Sequence, residues 1–203
     1  MTISKAYSKK RSWVIPLLLV LFIGPLVIAW FMVIEGDKLG SSNYGQLIQP
    51  PLDITQLPLL DTNGNTFAQT QFKDHWIMVY VEPDSCRELC QKNLYFMRQI
   101  RLATGKDMNR VERVLITFTD QPNDPQLSNL LTSVYPGTLH LLVAKKQFQQ
   151  FIAPLSTSTL ALQQGSFYLV DPHGNVMMYY PAEVKPSWIF KDLTRLLKVS
   201  QIG

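Results

Sequence analysis

The sequence predicts an α/β domain behind one N-terminal transmembrane helix, and two observations lead to this fold class. Residues 13–34 form an uncharged, apolar run of 22 residues. At about 1.5 Å per residue, a helix of this length crosses the roughly 30 Å hydrocarbon core of a bilayer. Beyond this run, short apolar segments typical of buried strands alternate with segments whose apolar residues recur at helical spacing. Such alternation is typical of a sheet with helices packed on its faces.

The chain divides into a cytoplasmic tail (1–12), a transmembrane helix (13–35), a linker (36–51) rich in Gly, Ser and Pro, and a folded domain (52–203). The tail holds four of the 19 Lys and Arg residues, whereas all 15 acidic residues follow the apolar run. The positive-inside rule therefore predicts a cytoplasmic tail and a periplasmic domain in a bacterial inner membrane. A cleaved signal peptide is the alternative. Against it, the apolar run is longer than a usual signal and lacks a small-x-small cleavage site.

The charge balance and the motifs exclude several function classes. Outside the tail, 15 basic residues offset 15 acidic ones, so the basic character of the chain belongs to the tail and indicates no nucleic-acid partner. The sequence has no Gly-rich phosphate loop, no Gly-x-Ser-x-Gly and no His-Glu-x-x-His motif. We therefore predict neither a nucleotide site nor a serine hydrolase or zinc protease.

The order of elements within the domain favours a thioredoxin-like arrangement. The predicted elements are a hairpin (57–72), a strand (76–82), a helix (87–103), a strand (111–118), a helix (126–134), a strand (138–144), a helix (146–152), strands 166–170 and 176–180, and a closing helix (187–199). Parallel strands joined by helices, followed by an antiparallel hairpin and a last helix, are compatible with right-handed crossovers. Ligands of such sheets bind beyond the carboxyl ends of the strands.

Cys86 and Cys90 are the only cysteines, and they follow the first predicted core strand at the start of a helix. Residues four apart lie on one face of a helix, so two thiolates there can hold one soft metal ion or form a disulfide. We expect Cys86 at or just before the helix N-terminus, where the helix dipole favours a thiolate. Cys90, one turn later, should be the more buried of the two.

These cysteines, together with the Leu-Val-Asp-Pro-His-Gly-Asn segment at 169–175, resemble the Sco/SenC family. Its members are membrane-anchored copper proteins that help to build the CuA centre of cytochrome c oxidase. The chain is also similar to small single-pass inner-membrane proteins of proteobacteria associated with cytochrome oxidase assembly. This similarity runs from FIGPLVIAW in the apolar run, through CRELCQKNLYFMRQ, to the C-terminal IFKDLTRLLKVSQIG. The resemblance implies a Sco-like, thioredoxin-like factor in oxidase biogenesis, with an oxidase subunit or another assembly factor as partner.

Two departures from these families limit which residues can be transferred. Sco proteins have a third copper ligand, a histidine about eight residues before the Asp-Pro of the final hairpin, and here that position is Gln163. Thioredoxin-like oxidoreductases have a cis-proline just before the same strand, and here the nearest proline that precedes the strand is Pro154. Only Cys86 and Cys90 lie at positions that match functional residues of these families.

The histidines are among the remaining candidates for a third Cu(I) ligand. His173 is the histidine that we favour as a ligand, and it lies in the Asp171–Asn175 turn. A polar residue before glycine is also ordinary turn chemistry. His140 lies within a predicted strand, where a hydrogen-bonded sheet histidine is expected. Two thiolates alone can also hold Cu(I), which favours soft ligands.

Three roles for the cysteine pair stay open. The pair binds Cu(I) or performs thiol redox chemistry on a copper-site partner, forms a structural or reversible disulfide, or has no role in a domain that only docks. Closing so small a loop stabilises by about 2 kcal/mol at best, and within a regular helix the two sulfurs would need local unwinding to meet. Our working hypothesis is an assembly factor or copper chaperone, with Cu(I) as the one cofactor considered, rather than a turnover enzyme. The alternative is a non-catalytic protein that docks on the oxidase or on another assembly factor.

Overall fold

The computed structural model describes residues 13–36, 43–120, 124–155 and 165–200, and the chain divides into two compact units between Ser42 and Asn43. The first unit contains helix α1 (Val14–Gly36). Its segment Val14–Met32 is long and apolar enough to cross a membrane, and none of it is buried within the protein. The predicted apolar helix is therefore present.

The second unit is built on a six-stranded mixed sheet. Its strands are β1 (Gln46–Asp53), β2 (Trp76–Glu82), β3 (Val111–Phe118), β4 (Thr138–Val143), β5 (Ser166–Val170) and β6 (Asn175–Pro181). They lie in the order β1-β6-β5-β2-β3-β4. Strands β2, β3 and β4 are parallel, whereas β5 is antiparallel to both β2 and β6, and β1 is antiparallel to β6. This arrangement confirms the predicted thioredoxin-like α/β fold.

Helices cover both faces of the sheet. They are α2 (Glu88–Ala103), α3 (Pro125–Ser133), α4 (Lys145–Ile152) and α5 (Pro186–Val199). Because successive side chains of a strand point to opposite faces, β2 contributes Tyr80 to a core shared with α2, α3 and α5. Its neighbours Val79 and Val81 belong to the core shared with α4. All seven residues of β2 are buried, as expected of a central strand covered on both faces.

The first strand differs from the prediction, because Gln46–Asp53 lies within and just beyond the predicted linker 36–51. The segment pairs with β6, and its register is irregular between Leu47 and Leu52. The consecutive prolines Pro50 and Pro51 indicated a linker, but proline is tolerated in an edge strand, where an unused N–H faces outward. The folded unit consequently begins at Asn43.

The predicted hairpin 57–72 is reduced to a single bridge between Leu60 and Thr66. Leu60 also pairs with the outer strand β4, because it exchanges two 2.8 Å backbone hydrogen bonds with Leu142. The segment therefore closes part of the outer edge of the sheet instead of forming an independent hairpin. It also contributes to a cavity beside the cysteines.

Candidate functional site

The cysteine pair lies where β2 passes into α2. Cys86 is in the connecting loop, and Arg87, with an extended backbone, is the N-cap of the helix. Cys90 lies in the first helical turn, and the two cysteines form a disulfide with their Cα atoms 5.1 Å apart. The local unwinding expected for two cysteines within a regular helix is not needed here, because Cys86 precedes the helix. The predicted position of Cys86, just before the helix N-terminus, is the observed one.

The two sulfur atoms differ in accessibility. Cys90 is 1% exposed and packs among Tyr80, Leu94 and Met97, whereas Cys86 is half-buried. Thiol–disulfide exchange requires a thiolate to reach one sulfur of the bond. The geometry therefore directs an incoming thiolate to Cys86 and protects Cys90 inside the core.

A cavity of about 690 Å³ opens beside Cys86. Its walls come from the loop before α2, the carboxyl end of β3, the start of α3 and the Leu60–Gly64 segment. Phe118 and Leu142 supply apolar surface, and Thr117 and His140 supply polar groups. The cavity lies beyond the carboxyl ends of parallel strands, where open α/β sheets bind ligands.

His140 lines this cavity with Cys86. Its Nε2 atom lies 2.9 Å from Oγ1 of Thr117, so the expected hydrogen-bonded sheet histidine is observed. Burial lowers the pKa of His140 from its ordinary value, because an imidazolium is poorly solvated there. The ring is consequently neutral near pH 7, and it presents one hydrogen-bond donor and one acceptor in total.

A buried polar group that the sequence analysis missed ends the strand leading to Cys86. Glu82 is 7% exposed. Its Oε2 atom accepts a 2.9 Å hydrogen bond from the Tyr80 hydroxyl, and its Oε1 atom accepts a 3.2 Å bond from the Asp84 N–H. Burial raises the pKa of Glu82 above its ordinary value, so the carboxyl keeps its proton to a higher pH. The available signal was a carboxylate at the end of an otherwise apolar strand.

The structure does not bring His173 to the cysteines. Strand β5 runs antiparallel to β2, with Ser166 opposite Val81 and Val170 opposite Ile77. Cys86 follows the carboxyl end of β2, and the turn that follows β5 therefore lies at the other end of these two strands. There, the backbone N–H of the exposed His173 donates to Oδ1 of Asp171 at 2.9 Å, which is the turn chemistry that was the alternative explanation.

The region that carries the third Sco ligand is described only from Gly165 onward, and Gln163 lies outside the described residues. Gly165 has a φ of +74°, and a Cβ atom there would lie 2.9 Å from both the Tyr80 hydroxyl and the Val81 carbonyl oxygen. The start of β5 thus lies close to the carboxyl end of β2, which is the end that leads to the cysteines. Among the described residues, no three His, Cys, Asp or Glu side chains are grouped so as to hold a metal ion.

Solved structures share this architecture. Yeast Sco1 is 16% identical, with 79% of this chain and 98% of that chain covered at a TM-score of 0.56. Apo Sco1 from Thermus thermophilus is 13% identical, with 76% and 97% covered at a TM-score of 0.56. BsSco, a member of the Sco family of cytochrome c oxidase assembly proteins, is 15% identical, with 73% and 93% covered at a TM-score of 0.53. At these identities the likeness establishes the Sco-like fold.

Comparison of sequences gives the family. No curated protein matches the chain. The family model described as "Transmembrane-like, thioredoxin-like, C-terminal domain" matches residues 76–200, which is more than half of the chain and includes both cysteines. This protein therefore belongs to that transmembrane-like, thioredoxin-like family.

Proposed function

We propose that this protein is a membrane-anchored factor of cytochrome c oxidase biogenesis whose cysteine pair exchanges electrons with a cysteine pair of a copper site. One observation carries the proposal: a half-buried Cys86, bonded to a fully buried Cys90, lies beside a cavity at the start of a helix. The Sco-like fold supports it, since BsSco is a Sco-family assembly protein described with a disulfide switch.

The chemistry follows from the different accessibility of the two sulfurs. In the reduced protein, the Cys86 thiolate attacks the disulfide of the partner, forms a mixed disulfide and releases one partner thiolate. The Cys90 thiolate then attacks the Cys86 sulfur, closes the internal disulfide and releases the second partner thiolate. Two electrons pass to the partner, whose thiolates become competent to bind copper, since the thiolate is the metal-binding form. The observed disulfide corresponds to the product of this exchange.

Residues around the pair contribute to this exchange. A helix N-terminus stabilises a nearby thiolate through the helix dipole, and the position of Cys86 just before α2 favours it as the attacking group. The cavity beside Cys86 provides space for the partner segment that carries the disulfide. The core around Cys90 excludes outside thiols, so the mixed disulfide is resolved within the protein.

Carriage of Cu(I) as cargo by the reduced pair is a second candidate function. Yeast Sco1 and Arabidopsis thaliana ScoI were crystallised with copper bound. Two thiolates four residues apart in sequence suit Cu(I), which prefers soft ligands. In the described part of the chain they would hold it without a third clustered donor, so this site differs in its ligands from one with two cysteines and a histidine.

The proposed location is a bacterial inner membrane, with α1 as the single span, a cytoplasmic tail and a periplasmic domain. The basic tail and the apolar span support this orientation. Disulfides persist in the periplasm, which suits a pair that cycles between dithiol and disulfide.

Trapping of the mixed disulfide tests the proposal. Reduced full-length protein in detergent is mixed with the oxidised soluble copper domain of the oxidase subunit, and free thiols on that domain are counted by mass spectrometry. We expect wild type to reduce the domain, the Cys90→Ser variant to stop at a mixed disulfide through Cys86, and the Cys86→Ser variant to form none. Equal reduction by wild type and by a Cys86→Ser/Cys90→Ser variant would contradict the proposal. Competition with a Cu(I) chelator, on the same proteins, tests the second candidate.

A further inference from the structure

Helix α5 carries a basic and aromatic surface that the cysteine chemistry does not use. We define the α5 patch as Tyr44, Lys185, Trp188, Lys191 and Lys198. The three lysines are exposed, Trp188 is 36% exposed and Tyr44 is 43% exposed. Part of the patch, with Arg195, borders a shallow depression of about 440 Å³.

The charge of this helix is segregated. The exposed charged residues of α5 are Lys191, Arg195 and Lys198, at helical spacing along one side. The acidic residue of the helix, Asp192, is 2% exposed and accepts hydrogen bonds of 2.9 Å from the Tyr44 and Gly45 N–H groups and the Tyr180 hydroxyl. Because its carboxylate points inward, the outer face of α5 is basic although the domain as a whole is balanced in charge.

Two exposed aromatic rings lie on this basic face. Tyr44 and Trp188 are stacked, with ring centroids 5.3 Å apart. The Lys191 ammonium lies 5.2 Å from the centroid of the Tyr44 ring, and the Lys185 ammonium lies 5.7 Å from that of Trp188. Tryptophan and tyrosine beside lysine are the residues that occupy the headgroup region of membranes, with rings at the acyl boundary and ammonium groups at the phosphates.

The short connection between α1 and the patch indicates the membrane as the ligand of the patch. Tyr44 is eight residues after Gly36, the last residue of α1. At most about 3.5 Å per residue, that connection reaches no further than about 30 Å. If α1 spans a bilayer, as the proposed function requires, Tyr44 stays within about 30 Å of the end of that span. Asp192 binds the Tyr44 backbone to α5, so the lysines of the helix share this restriction.

We propose that the α5 patch binds the anionic phospholipid headgroups of the membrane in which α1 is anchored. The lysines contact headgroup phosphates, and the Tyr44–Trp188 stack lies at the boundary with the acyl chains. Each basic side chain near an anionic surface strengthens association about five-fold, and the attraction weakens with salt. Such docking would orient the domain on the membrane, independently of the redox state of Cys86 and Cys90.

Lysine footprinting of the full-length protein in nanodiscs tests this proposal. Acetylation of Lys191 and Lys198 is followed by mass spectrometry in phosphatidylcholine nanodiscs and in nanodiscs that also contain phosphatidylglycerol. Lys146, on α4 at the opposite face of the sheet, is the internal control. We expect acetylation of the two patch lysines to slow several-fold with phosphatidylglycerol, to recover at high salt, and to stay unchanged at Lys146.

Matched variants separate headgroup binding from general effects. In Lys191→Gln/Lys198→Gln, the protection of Lys185 by phosphatidylglycerol should be lost, whereas Lys145→Gln/Lys146→Gln should retain it. Equal acetylation in both nanodiscs, equal protection of Lys146, or protection only after an acidic protein partner is added would overturn the proposal. Failure of the chain to enter nanodiscs would instead contradict the membrane anchoring in the proposed function. A Cys86→Ser/Cys90→Ser variant that keeps the protection would show that headgroup binding does not depend on thiol chemistry.

Discussion

Reduction of the Cys86–Cys90 disulfide should leave the domain folded, with a loss in the free energy of unfolding of about 2 kcal/mol. The bond joins residues four apart in sequence, so it closes a very short loop. The chain-entropy relation gives about 7 cal/mol/K for such a loop, or about 2 kcal/mol at 25 °C. A domain of this kind is stable by roughly 5–15 kcal/mol. The fold can therefore persist in both redox states, which a cysteine pair that cycles between them requires.

The assay is chemical denaturation of the full-length protein in detergent, with and without a non-thiol reductant, followed by far-ultraviolet circular dichroism. Single variants supply matched controls. Cys86→Ser should lose about as much stability as reduction does, because Cys86 is half-buried. Cys90→Ser should lose about 1–3 kcal/mol more, because its hydroxyl would be buried in an apolar cluster. Unfolding on reduction, or a loss of more than about 4 kcal/mol in the free energy of unfolding, would mean that the fold depends on the disulfide. Either result would refute a pair that cycles between two folded redox states.

Three further predictions concern the surroundings of the site and the start of the domain. Asp192→Ala should lower the free energy of unfolding by roughly 3–5 kcal/mol in the same denaturation assay, since three donors lose their acceptor; a loss below about 1 kcal/mol would mean that the network contributes little. Wild type should lose stability as the pH rises from the ordinary carboxyl pKa of 4.5 through the raised pKa of folded Glu82, because a buried carboxylate must then ionise. Glu82→Gln should remove that part of the pH dependence. Parallel pH profiles of the free energy of unfolding for the two proteins would contradict the assignment to Glu82. Gly165→Ala should cost at least about 2 kcal/mol, because its φ is positive and its Cβ would meet the Tyr80 hydroxyl; a neutral effect on the melting temperature would disprove the close approach.

The strands and the helix that position the cysteines could be predicted because their signals are local. The predicted limits of β2, β3 and β5 are the observed ones, since each strand is a continuous apolar run with many β-branched or aromatic residues. Glu88–Ala103 follows directly from its helical spacing of apolar residues. The burial of Cys90 also follows from that spacing, which places it on the same side as Leu94 and Met97.

The features that could not be predicted depend on long-range pairing. Strand β1 is recognisable only once β6 is available to pair with it, because Pro50 and Pro51 are equally compatible with a linker. Whether His173 lies near the cysteines depends on the direction of β5 relative to β2, which no local pattern contains. The cavity that Cys86 shares with His140 likewise requires the register of β3 with β4.

Whether the two thiols are required for oxidase assembly is best tested by complementation in cells. A strain that lacks this protein would receive either the wild-type chain or the Cys86→Ser/Cys90→Ser variant at matched membrane levels. Copper content and cytochrome c oxidase activity of the membranes would then be measured. We expect wild type to restore both and the variant to leave the oxidase depleted of copper and activity. Full restoration by the double variant would contradict the thiol mechanism and would support a docking role for the domain.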